Sequence, residues 1–145
     1  MSFLTNSNQM VLWDWLSQRV GIPYSSDFTA LGRVVDGKLI GVVGYNNFTG
    51  TSCQMHMAGE GRWMNREFLY EAFRYPFETL GLTMVLGNVP SGNIRALRID
   101  LKLGFKELLY IPGAHPDGGI HLLQMKRENC RWLRNHGKEK HSEAA

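Results

Sequence analysis

From Asn8 to Val20 apolar residues recur every three or four positions, and Met10, Val11, Trp13, Leu16 and Val20 outline a stripe. That period predicts an amphipathic helix, capped by Ser7 or Asn6 and stopped by Gly21-Ile22-Pro23. Residues 30–35 and 38–45 then read as strands flanking Asp36-Gly37. Asp-Gly between apolar runs suits a two-residue hairpin, because both central positions need positive φ. Ser52 to Ala58 alternates strictly, with Cys53, Met55 and Met57 on one face and Ser52, Gln54 and His56 on the other. Helical spacing returns in Met64, Phe68, Leu69, Ala72, Phe73, Phe77 and Leu80. It predicts a helix over residues 63–80, kinked at Pro76 and ended by Gly81.

Residues 83–89 predict a buried strand, and residues 93–103 a helix stopped by Gly104. Residues 105–111 and 119–125 give the last two strands, joined by a loop over 112–118. A short helix is expected at 127–135 and a disordered polar tail at 137–145. The order of elements predicts one α/β domain of the mixed, α+β kind over residues 1–136, a mixed sheet with helices on both faces.

Composition narrows the function. The chain of 145 residues is one domain by length, and 43% hydrophobic with 20% charged is ordinary for a globular protein. Net charge is +3, and many basic residues crowd 126–140, which argues against a nucleic-acid partner needing a basic stripe. Cys53 and Cys130 have no spacing for zinc or a disulfide framework, so no metal is expected. No apolar run reaches the roughly 18 residues of a membrane span, and the N-terminus lacks the pattern of an export signal. A cytoplasmic location without a membrane partner is the expectation. Sequence leaves the oligomeric state open, a homodimer included.

Two segments carry candidate chemistry. Gly59-Glu60-Gly61-Arg62 sits where a strand gives way to a helix, and such a corner presents backbone N–H groups to a pyrophosphate. Arg62 and Arg66 could add charge-assisted contacts to phosphate oxygens. The rival nucleotide motifs are absent, since position 64 is Met64 rather than a third glycine and no Gly-Lys-Ser/Thr occurs. The second segment is Asn93-x-x-Ala96 followed by Gly104-Phe105. Asn93 suits a helix N-cap in its own right.

Together these segments resemble the GCN5-related N-acetyltransferases, the GNAT family, over roughly residues 30–125. The helix over 68–80 followed by the Asn93 helix looks most like the branch of ribosomal-protein N-terminal acetyltransferases, and the small size resembles compact phage-encoded members. The N-terminal third departs from the family pattern, and the family's first strand and second helix are expected to be shortened or missing here. It implies acetyl-coenzyme A as cosubstrate, its pantetheine arm touched by Asn93 and Ala96. Its pyrophosphate would lie on the glycine corner (Gly59, Gly61, Arg62, Arg66), with Met57 and Ala58 also against the cofactor and Trp63 beside it. The family's usual loop places its basic residue before the glycines, whereas here Arg62 follows them, and Glu60 must point outward.

Acetyl transfer needs a neutral amine, a polarised carbonyl and a departing thiolate. The resemblance puts His56 at the strand end that meets the acetyl group, and histidine titrates in the range a general base needs. A backbone N–H near Met57 would polarise the carbonyl. The family's tyrosine acid is replaced by Asp100, whose part stays open between a protonated acid, a binder of a cationic acceptor and a solvated helix residue. Gln54, His115 and Asp117 are candidates for holding the acceptor. Cys53 lies on the apolar strand face, so direct transfer to a primary amine of a protein or small molecule is expected. The alternatives are a non-catalytic module of the same fold that binds a protein, or modification of a nucleic-acid base amine.

Overall fold

The computed structural model describes residues 1–133; the expected tail and the end of the expected helix at 127–135 lie outside them. The elements are β1 (Ser2–Thr5), α1 (Gln9–Val20), β2 (Thr29–Val35), β3 (Lys38–Asn46), β4 (Ser52–Gly59), α2 (Arg66–Arg74), β5 (Met84–Pro90), α3 (Ile94–Leu103), β6 (Lys106–His115) and β7 (Gly118–Lys126). They build a seven-stranded mixed sheet in the order β1-β2-β3-β4-β5-β7-β6. Every neighbouring pair is antiparallel except β4 with β5.

Residue alternation assigns the faces. Val43, Cys53, Met55, Val85 and Leu123 enter the larger core, with Phe68, Phe73 and Phe77 from α2 and its continuation. Val42 and Ala30 turn to the other face and pack on Leu12 and Leu16 of α1. Gly44 belongs to that second face, since a Cβ there would stand 2.5 Å from the Phe28 ring and 2.8 Å from Leu16. Its cross-strand partner is His56, so His56 faces the α1 side. The stripe expected on α1 needs correction. Leu12 and Leu16 are its buried residues, Met10 and Val11 are exposed, and the cap is Asn8, whose Oδ1 accepts from Val11 N–H.

The Asp36-Gly37 hairpin forms as expected, with φ of 50° and 78° at its two turn residues. A four-residue first strand is present although the sequence pattern did not announce it, and the chain passes from α1 to β2 with no second helix. The helix expected from residue 63 starts at Arg66, because Asn65 Oδ1 accepts from Phe68 N–H at 2.8 Å and fixes the first turn there. Pro76 widens the helix rather than simply kinking it. The α-helix stops at Arg74, and Leu80 N–H reaches back five residues to the Tyr75 carbonyl. Proline cannot donate to the Ala72 carbonyl, and the Tyr45 hydroxyl takes that acceptor instead.

The loop expected at 112–118 is mostly hairpin. β6 runs on to His115, with a register break between Ile111 and His115, and pairing resumes at His115–Gly118.

Candidate active site

The parallel pairing of β4 with β5 covers only Ser52–Met84, Cys53–Val85 and Gln54–Leu86. Beyond those pairs the strands part. The β5-facing backbone of Met55 to Gly59 therefore has no strand partner, and a crevice of about 880 Å³ opens there. Its walls come from both faces of the sheet: the end of α1 on one side, the start of α3 on the other, and the β6–β7 hairpin tip above. A cavity of this size suits a small-molecule ligand.

The crevice brings together most residues singled out in the sequence. β4 contributes Gln54, His56, Met57, Ala58 and Gly59 to its wall. α3 contributes Asn93, Ala96 and Asp100, and the hairpin contributes His115. Gly61, Arg62, Arg66 and Asp117 stand outside this wall. Gly61 sits at a φ of 57° in the exposed corner, and Arg62 and Arg66 are exposed. Asp117 is exposed at the hairpin tip, where its backbone N–H donates to His115 Nδ1 at 3.1 Å. Trp63 reaches the wall but is 3% exposed. Its ring covers Gly59 so closely that a Cβ there would lie 2.0 Å from Trp63 Cγ. Glu60 lines the crevice together with Arg19, whose Nη2 donates to it at 2.8 Å, with Lys38 Nζ at 3.7 Å. The Arg19 guanidinium holds the Glu60 carboxyl below its usual range.

Asn93 is the N-cap of α3, its Oδ1 accepting from Ala96 N–H at 3.1 Å. One turn past Ala96, Asp100 lies over the bare backbone of Gly87 on β5, where an added Cβ would be in ordinary contact with its Oδ2 at 3.8 Å. Burial, with no cationic partner among the described residues, raises the Asp100 carboxyl to about 7. His56 comes from the opposite face of the sheet. Its Nε2 bonds Asn46 Oδ1 at 2.9 Å, and burial lowers its pKa to about 4. Both groups reach one cavity because the strands between them have separated.

At neutral pH this arrangement pairs an uncharged imidazole with a carboxyl that still holds a proton much of the time. Such a pair can accept one proton and deliver another. Cys53 packs in the core, where burial pushes its thiol up to about 12, so it is not a nucleophile at neutral pH. Among the described residues no cluster of His, Cys, Asp or Glu could hold a metal, and no helix is long and apolar enough to cross a membrane. Asn46, Gly87 and the turn after α1 belong to no sequence motif that marks them as part of a site. Asn46 carried a faint signal, an amide at the end of an apolar strand, two residues after a glycine.

No protein-family profile and no curated protein sequence matches the chain. Its fold, however, is shared with solved N-acetyltransferases. A variant of the spermidine N-acetyltransferase SpeG from Vibrio cholerae aligns with a TM-score of 0.71 at 14% identity, over 93% of this chain and 98% of that one. PseH from Campylobacter jejuni, an N-acetyltransferase in complex with acetyl coenzyme A, aligns at 0.59 and 17% identity, over 88% and 99%. The expected mixed sheet with helices on both faces is thus the fold of these acetyltransferases.

Proposed function

We propose that the protein is an acetyl-coenzyme A-dependent N-acetyltransferase acting on a primary amine by direct transfer. One observation carries this reading: His56 and Asp100 enter a single crevice from opposite faces of a sheet parted between β4 and β5. The crevice fits a thioester arm, since an extended chain laid in it meets unpaired β4 backbone on one side and the capped start of α3 on the other. Met57 to Gly59, Asn93 and Ala96 would hold the arm, with Gly61, Arg62 and Arg66 near the corner for phosphate. The thioester supplies the activated acetyl group.

The chain's own groups do the rest. A β4 backbone N–H near Met57 donates to the carbonyl oxygen as charge develops there. His56 Nδ1 takes a proton from the attacking nitrogen, whose acidity rises as its bond to carbon forms, so a weak base suffices. Asp100 gives a proton to the departing sulfur as the carbon–sulfur bond breaks. Solvent then restores both groups. Gln54, His115 and Asp117 would orient the acceptor. His115 can donate only from Nε2, since its Nδ1 accepts from Asp117 N–H.

The acceptor is a primary amine of a small molecule or a protein, in the cytoplasm. SpeG, by its name, acts on spermidine, which supports the small-molecule side. The proposed resemblance to compact phage-encoded or ribosomal-protein N-terminal acetyltransferases keeps the protein side. Monomer and homodimer are separated by sedimentation. Coenzyme A release with a panel of amines tests the reaction, and His56→Ala is expected to lower turnover by roughly 10²-fold or more. Full turnover in that variant would remove His56 as the base. Absence of acetyl-coenzyme A binding at millimolar ligand would leave the non-catalytic module.

A further inference from the structure

Asn46 is the one buried amide or charged side chain among the described residues, 7% exposed at the end of β3. Nothing in the thioester crevice requires it, since it does not line that cavity. It shares the α1 face with Gly44, two residues before it, and with His56, the cross-strand partner of Gly44. Asn46 and His56 are thus diagonal neighbours on one face, within side-chain reach. Asn46 Oδ1 can only accept, so the 2.9 Å bond to His56 Nε2 requires the hydrogen on Nε2 and leaves the lone pair on Nδ1.

The backbone at Asn46 is pinned on both sides. β4 pairs with it through Gln54, and the next residue, Asn47, donates its N–H to Asp27 Oδ2 at 2.8 Å. We infer that Asn46 is a positioning residue: it holds the His56 ring in the Nε2–H form and presents Nδ1 to the crevice. Its part in turnover rests on His56 acting as the base; its hold on the ring does not. The ionisable groups that share the crevice with His56 are Arg19, Glu60, Arg95, Asp100 and His115. Asp27 lies behind, on the loop that fixes Asn47.

The test is ¹⁵N NMR of the full chain labelled at histidine nitrogens, with His56 assigned by the signal lost in His56→Gln. In wild-type protein at pH 7 the ring is expected neutral with Nδ1 unprotonated. A ring carrying its hydrogen on Nδ1 overturns the inference without any change at Asn46. In Asn46→Asp a carboxylate faces Nε2–H, and the His56 titration is expected to rise by at least one pH unit; an unmoved titration in a folded variant overturns it. In Asn46→Leu the ring loses its partner, and a mixture of tautomers is expected; an unchanged tautomer overturns it. Activity separates the two readings. If His56 is the base, the acid limb of kcat/KM moves with the Asn46→Asp titration, and Asn46→Leu lowers kcat about tenfold with little change in KM for acetyl-coenzyme A. A moved titration with an unmoved limb keeps the hold of Asn46 on the ring and removes His56 from the reaction.

Discussion

His56 and Asp100 are shifted in opposite directions by the same cause, loss of water around a group that can carry charge. For Asp100 the folded chain prefers the protonated form, so its contribution to stability is full below about 4 and is lost as pH rises through about 7. For His56 the folded chain prefers the neutral form, so stability is lost as pH falls from 6.5 towards about 4. Between those values the two slopes oppose. Asp100→Asn removes the cost of ionising a buried carboxyl, and should stabilise the protein above pH 7 by on the order of 2–4 kcal/mol, with little effect near pH 4. Urea midpoints at the two pH values check this. If Asp100 is the acid of the proposed reaction, the rate corrected for the neutral fraction of a chosen amine falls above about 7 in the wild-type protein. In Asp100→Asn that fall should vanish while the remaining rate drops roughly 10²-fold. A corrected rate that stays level in wild type would take the acid role from Asp100.

Among the elements, the α2 region shows how one residue redirects a helix. The apolar period continues through Pro76 to Leu80, so the pattern alone reads as one long helix. Backbone chemistry decides otherwise, because the missing N–H at Pro76 frees the Ala72 carbonyl in the core. Tyr45, buried on β3, satisfies it. Tyr45→Phe keeps the ring and leaves that carbonyl without its partner, which should cost about 1–3 kcal/mol in a urea or thermal melt. The starts of α2 and α3 follow a simpler rule, each capped by an asparagine three residues ahead of the N–H it accepts from. Asn93 was legible for that reason. Asn65 was hidden, since Trp63 and Met64 already look like helix in the apolar pattern.

Across the whole molecule, the parting of β4 from β5 decides whether there is a site at all. Amides of Met55 to Gly59 that face β5 should exchange with solvent faster than those of Ser52 to Gln54. Acetyl-coenzyme A should slow them if it lies in the crevice, and hydrogen exchange with and without ligand reads both effects. Much of this architecture was written locally. The Asp36-Gly37 turn, the alternation of Ser52 to Ala58 and the Asn93 cap depend on a few neighbouring residues, and their chemistry leaves little choice. The first strand was not legible, because four residues give too short a pattern and form a strand only by pairing with β2. By itself the chain determined most of its elements, the order in which they follow and which face of β4 carries His56. Only the tertiary structure decided that His56 and Asp100 share a cavity, that Asn46 stands behind the imidazole, and that burial moves the two titrations in opposite directions. Those outcomes depend on contacts between residues far apart in the chain and on the exclusion of water, which no local pattern encodes.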